Sequence, residues 1–126
     1  MVNELIDACN PLWACIIKHI DFDIFQNRIV FDLLDAEHDL NHRLEMFDVY
    51  SYIWISRSGT PQRDSFEPIY NEFTSIVFRN AHIETKNDKW LSQYFLDYNV
   101  CVEIMDGALL INSKTLILNG RKFTLE

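Results

Sequence analysis

The stretch NVCVEIMDGALLINSKTLILNGRKFTL, residues 99–125, decides the fold. Asp106-Gly107 separates the largely apolar run Asn99–Met105 from Ala108–Ile111, and Asn119-Gly120 separates Thr115–Leu118 from Arg121–Leu125. Asp-Gly and Asn-Gly between apolar runs mark two-residue hairpins, because a type I′ turn places both central residues at positive φ. The chain therefore ends in a β-meander.

Working outward, Ile20–Phe25 and Arg28–Leu34 form an earlier hairpin about Gln26-Asn27. With a two-residue turn, Ile24 faces Ile29, Phe22 faces Phe31 and Ile20 faces Leu33, all on one side of the ribbon. These six residues are the expected core of the hairpin, since a one-residue slip breaks every pair. The opposite side then sets Asp23 against Val30 and Asp21 directly opposite Asp32. His42–Val49 and Tyr50–Ser56 read as strands with a break near Asp48, and Asn71–Ile83 as another. Ser56–Glu67 is expected to be a surface loop and Lys86–Lys89 a polar turn. Trp90–Tyr98 reads equally as a short helix or an edge strand.

At the N-terminus, Val2–Ala8 and Leu12–His19 read as helices separated by Asn10-Pro11. Asn10 suits the cap of the second and Pro11 its first turn. Leu12, Cys15, Ile16 and His19 share a face at helical spacing. Helices first, then short antiparallel strands, predict an α+β fold: an N-terminal helical segment packed on a twisted, mostly antiparallel sheet that ends in the β-meander. A chain of 126 residues is read as a single domain, 1–126. There is no βαβ alternation, no G-x-G-x-x-G and no P-loop, so no cofactor is expected.

Charge is unevenly spread. The net charge is −8, and residues 1–48 hold ten acids against three bases, Lys18, Arg28 and Arg43. Such a field repels phosphate backbones, which argues against nucleic acid as a partner, and it attracts a basic protein. No apolar run approaches the roughly 20 residues that span a bilayer. The N-terminus lacks a basic region followed by an apolar stretch, so a cytoplasmic setting without membrane partners is expected. Cys9, Cys15 and Cys101 fit neither a metal knuckle nor a disulfide framework, and are expected as reduced, buried thiols.

Three constellations could carry chemistry. In Asp35-Ala-Glu37-His38-Asp39-Leu40-Asn41-His42, a helix would bring His38 and His42 onto one face at zinc-pair spacing. Asp39 stands where HExxH has its glutamate, and the polar setting between strands reads as an exposed loop, so no metal ligand is assigned. Asp21 and Asp32 could share a proton or a cation, or simply face solvent. Tyr50, Tyr52 and Trp54 alternate on one side of a strand, either as core or as a protein interface. The acids Asp21, Asp23, Asp32, Asp35, Glu37 and Asp39 are the expected partner-binding residues.

The segment Arg43-Leu-Glu-Met-Phe-Asp-Val49-Tyr-Ser and the tail formed by Asn99–Ile111 and Leu116–Phe123 carry a resemblance that runs over residues 19–125. In these strands and turns the chain resembles the YxiG-like family and related immunity-protein families of bacterial polymorphic toxin systems. The resemblance implies a non-enzymatic protein-binding module that neutralises a toxin domain, and it brings no catalytic residues. Two alternatives stand beside it. One is a cone-shaped NTF2-like protein that binds or transforms a small ligand. The other is a metal-dependent hydrolase using His38 and His42.

Overall fold

The computed structural model describes residues 2–56, 71–78, 98–105 and 107–125. Helix α1 (Val2–Cys9) and a single 3-10 turn (Asn10–Leu12) precede the strands. These are β1 (Cys15–Asp23), β2 (Arg28–Asp35), β3 (Leu40–Ser56), β4 (Asn71–Phe78), β5 (Val100–Ile104), β6 (Gly107–Leu118) and β7 (Arg121–Thr124). Their order is β3-β2-β1-β4-β5-β6-β7, and β6 also pairs with β3. That extra pairing closes six strands into an antiparallel barrel, with β7 added along β6.

The expected α+β class is therefore wrong. Strands make up 70% of the described residues and helices 11%. The expected helix Leu12–His19 ends after Leu12, because Ala14 turns into the left-handed region at φ 68°. Its N–H donates to the Phe73 carbonyl at 2.7 Å, which starts β1 beside β4. From Cys15 onward the β-branched pair Ile16-Ile17 favours the extended path. Asn10 does not cap a helix: the residue at that cap is Cys9, with no side-chain hydrogen bond, and Pro11 lies in the 3-10 turn rather than in the first turn of the expected helix. Leu5, Cys9 and Leu12 join the barrel's interior cluster rather than covering a sheet.

The first hairpin keeps its faces but not its register. Phe22 pairs with Ile29, Ile20 with Phe31 and Ile17 with Leu33, so the turn holds four residues, Ile24–Asn27. One Asp23 carboxylate oxygen accepts from the N–H groups of Phe25 and Gln26, each at 3.2 Å, and Asn27 takes φ 53°. Asp23 and Asn27 supply what Gln26 could not in a type I′ turn. The two-residue shift places Asp21 opposite Val30 and Asp32 opposite His19, so the expected Asp21–Asp32 pair does not form. Ile29, Phe31 and Leu33 are fully buried, whereas Ile20 is half-buried and Phe22 and Ile24 are exposed. Phe31 meets Phe73 edge-on, with centroids 5.5 Å apart.

Strand β3 is one run of 17 residues. It pairs with β2 up to Met46 and with β6 from Leu44 to Ser56. The expected break is a bulge: Asp48 has φ 54° and the register shifts between Val49 and Ser51. Ser113 lies opposite Val49 and is buried; its hydroxyl donates to the Phe47 carbonyl at 2.7 Å. The amide of Asn99 brackets the same point, donating to the Ser113 carbonyl at 2.7 Å and accepting from its N–H at 3.1 Å.

The two C-terminal turns differ. Leu118 pairs with Arg121, and Asn119 and Gly120 take φ 51° and 88°, the expected type I′ hairpin. The Asn119 side chain also accepts from the Arg43 N–H at 2.8 Å, tying this turn to β3. In the other hairpin Ile104 pairs with Gly107, and Met105 carries φ 54°. Gly107 lies in β6 and not in the turn. Of the surface loop expected over Ser56–Glu67, Ser56 is instead the last residue of β3 and the rest falls outside the described residues, as do the end of the strand expected to reach Ile83, the turn Lys86–Lys89 and all of Trp90–Tyr98 but Tyr98. Among those described, no helix is long and apolar enough to cross a membrane.

Candidate functional site: an apolar groove at one end of the barrel

Two hairpin arms frame the end of the barrel where β4 begins. Strand β1 pairs with β4 only through Cys15–Ile17, and the rest of β1 continues beside β2 alone among the described residues. Beyond Met46, β3 pairs as a strand with β6 alone among the described residues, and the Val49 N–H donates to the Asn27 carbonyl of the β1–β2 turn at 2.9 Å. Between these arms lies a groove of about 590 Å³, lined chiefly by Ile17, Ile20, Phe22, Tyr52, Trp54 and Leu109. Phe22 and Tyr52 stack across it with centroids 5.0 Å apart and planes 26° from parallel.

Part of the chain's exposed large apolar surface lies here, while Trp13, Leu40 and Ile53 are exposed outside the groove. Phe22, Tyr52 and Trp54 are 40%, 40% and 50% exposed, and Phe25 at the adjoining turn is 92% exposed. Such a contiguous patch marks an interaction site or a ligand groove more often than a bare surface. Gly107 makes room for it: a Cβ there would lie 2.7 Å from Trp54 Cζ2 and 3.0 Å from the Ile55 carbonyl oxygen. Beside the groove is a smaller cavity of about 260 Å³, lined by Asp23, Arg28, Tyr50 and Tyr52 among others. The Lys114 ammonium lies 5.1 Å from the Tyr50 ring centroid, a cation–π contact at the rim.

The six acids named from the sequence fall into groups. Asp21 and Asp23 stand on the β1 arm beside Phe22. Asp35, Glu37 and Asp39 occupy the other end of the β1–β2 hairpin, roughly 24 Å away along β2 at about 3.4 Å per residue. Asp32 lies between them on β2, 3.5 Å from the Arg43 guanidinium, which also reaches Glu45 at 3.8 Å. Several of these acids shape turns. Asp23 caps the β1–β2 turn, Asp35 accepts from the N–H groups of Glu37 and His38 at 3.1 and 3.2 Å, and Asp39 holds φ 54°.

His38 and His42 are not a pair on one face, because residues 36–39 form a turn and β3 begins at Leu40. His38 Nδ1 lies 2.9 Å from Asp35 Oδ2. This hydrogen bond holds the Asp35 carboxyl below its ordinary range and lifts the His38 imidazole above its own. Asp35, Glu37 and His38 bring one ligand atom each within 4.8 Å of one another, at an exposed turn. His42 instead points Nδ1 at the Asn119 amide, 2.9 Å away. The three cysteines form no disulfide and are buried. Burial pushes the Cys9 thiol up to about 12, and burial followed by the Asp35 charge raises Cys15, so neither is an activated nucleophile.

A small closed antiparallel barrel with an aromatic groove at one mouth is the class of protein these features define. The chain belongs to the YxiG-like protein family, whose profile matches residues 5–123. No curated protein and no solved structure matches it.

Sequence reasoning named Tyr50, Tyr52 and Trp54 but assigned Phe22 to the core. The signal that separates them is the turn. Ile24-Phe25 sits between Asp23, which caps a four-residue turn, and Asn27, which tolerates positive φ. Reading that turn correctly moves Phe22 to the tip of an arm.

Proposed function

We propose that the chain is a non-enzymatic protein-binding module, an immunity protein that neutralises a toxin domain by docking a basic surface of that domain on the barrel mouth. The observation that carries this reading is the exposed set Phe22, Phe25, Tyr52 and Trp54 flanked by Asp21 and Asp23. Aromatic centres with a charged rim are the usual anatomy of a protein interface. The excess of seven acids in residues 1–48 favours encounter with a basic partner. Membership of the YxiG-like family agrees with the resemblance on which the immunity role rests. The test is co-purification with the product of an adjacent toxin-like reading frame, followed by kinetics. Neutralising Asp21 and Asp23 to Asn slows association and flattens its salt dependence if the reading is right. Unchanged association at low salt rejects the acidic rim.

One observation favours a second reading, a small apolar ligand in the groove. Its volume of about 590 Å³ lies within the range of ligand pockets, and barrel mouths commonly hold them. A hydrophobic fluorophore that binds wild type but not Trp54→Ala, and is not displaced by any protein partner, would support it.

A further inference from the structure

The β1 arm presents two things at once: a strand edge and an alternating face. Strand β1 pairs with β4 through Ile17, a bulge falls at Lys18, and from His19 to Asp23 the edge turned away from β2 has no strand partner among the described residues. Along these five residues, which span about 17 Å, Ile20 and Phe22 line or border the groove. Lys18 and His19 line its inner end, while Asp21 and Asp23 alternate with Ile20 and Phe22, and Asp21 is exposed. A strand added to this edge inherits the same alternation, because side chains of neighbouring strands share faces. Its groove-facing residues would meet Ile20, Phe22 and Tyr52, and its other residues would meet Asp21 and Asp23. An unpaired edge beside an apolar groove is the arrangement by which extended peptides add to sheets.

We infer that the occupant of the groove is an extended segment of a basic partner protein, paired by its backbone to the β1 edge that has no strand partner among the described residues, with apolar side chains alternating with Lys or Arg. This rests on the protein-binding reading above and names the form the partner takes. Charge complementarity fixes the basic positions, and the aromatic groove fixes the apolar ones.

The probes are capped octapeptides. One alternates lysine with isoleucine and valine, and its isomer of the same composition groups the lysines in a block. Two further versions of the alternating peptide are N-methylated at one or the other set of alternate residues. Affinity is read on the full chain by fluorescence anisotropy of labelled peptide. The alternating peptide should bind at least tenfold more tightly than the block isomer. One N-methylated set should abolish binding and the other leave it nearly intact, since only alternate N–H groups face β1. Tyr52→Ala should weaken binding tenfold or more, and Asp21→Asn should lower its salt dependence; both side chains are exposed, and circular dichroism confirms that the variants fold. Equal binding of the isomers, tolerance of both methylated sets, or no binding of the alternating peptide overturns the strand. Failure of the parent reading looks different. In that case Tyr52→Ala and Asp21→Asn leave binding of the adjacent-frame toxin domain unchanged. A toxin that is weakened by both variants but does not compete with the alternating peptide keeps the reading and rejects the strand.

Discussion

Single residues set the turns, and their chemistry makes direct predictions. Gly120 sits at φ 88° with nothing within 4 Å of where a Cβ would lie, so Gly120→Ala adds backbone strain alone. The left-handed conformation costs an alanine roughly 1–2 kcal/mol, and denaturant melts should show a loss of that size; no loss would mean that the turn is not type I′. The Asp35–His38 contact makes the β2–β3 turn pH-sensitive, with a sign for each partner. Asp35 is depressed, so its contribution is present above its unfolded value and lost as pH falls through the folded one. His38 is raised, so its contribution is complete below its unfolded value and lost as pH rises through the folded one. The turn is therefore held best between the two. An NMR titration should place the His38 midpoint higher in wild type than in Asp35→Asn, a substitution that keeps the turn-capping oxygen. Equal midpoints would show that the pair does not form in solution.

At the scale of elements, local signals were readable and long-range pairings were not. Asn119-Gly120 gave its hairpin because the turn type needs positive φ at both positions. Ile29, Phe31 and Leu33 were recognisable as core because a two-residue change of register leaves every side chain on the same face. Phe31→Ala should therefore cost about 3–5 kcal/mol in denaturant melts, as for a fully buried phenylalanine, while Phe22→Ala should cost well under half as much. Similar losses at both would contradict the four-residue turn. The stretch Leu12–His19 misled because a short apolar run fits a helix face and a buried strand alike. Asp106-Gly107 misled by one position: its glycine is required by the Trp54 ring packed against β6, not by the turn. That requirement depends on residues more than 50 positions apart, so no local pattern carries it.

The whole molecule is governed by the pairing of β3 with β6, which brings residues 44–56 against 107–118 and turns a meander into a barrel. Nothing in either segment names the other, and the barrel was invisible in the sequence for that reason. The same closure builds the candidate site, because it carries Tyr52 and Trp54 across from Phe22. Acidity was legible from composition, but its division between the two ends of the β1–β2 hairpin was not, since it follows from the fold. Of the six acids named from the sequence, only Asp21 and Asp23 stand beside the aromatic groove, so the acids at the far turn should matter less for a partner docked there. Neutralising Asp35, Glu37 and Asp39 should change association less than neutralising Asp21 and Asp23, measured by stopped-flow at low salt. The most direct measurement is the dissociation rate of a co-purified protein partner from wild type and from Tyr52→Ala/Trp54→Ala, with folding checked by circular dichroism. Docking at the groove requires dissociation to accelerate by at least tenfold in the double variant, as loss of aromatic anchors does at interfaces. An unchanged dissociation rate in the folded double variant would place the partner elsewhere and contradict the barrel mouth as the binding site.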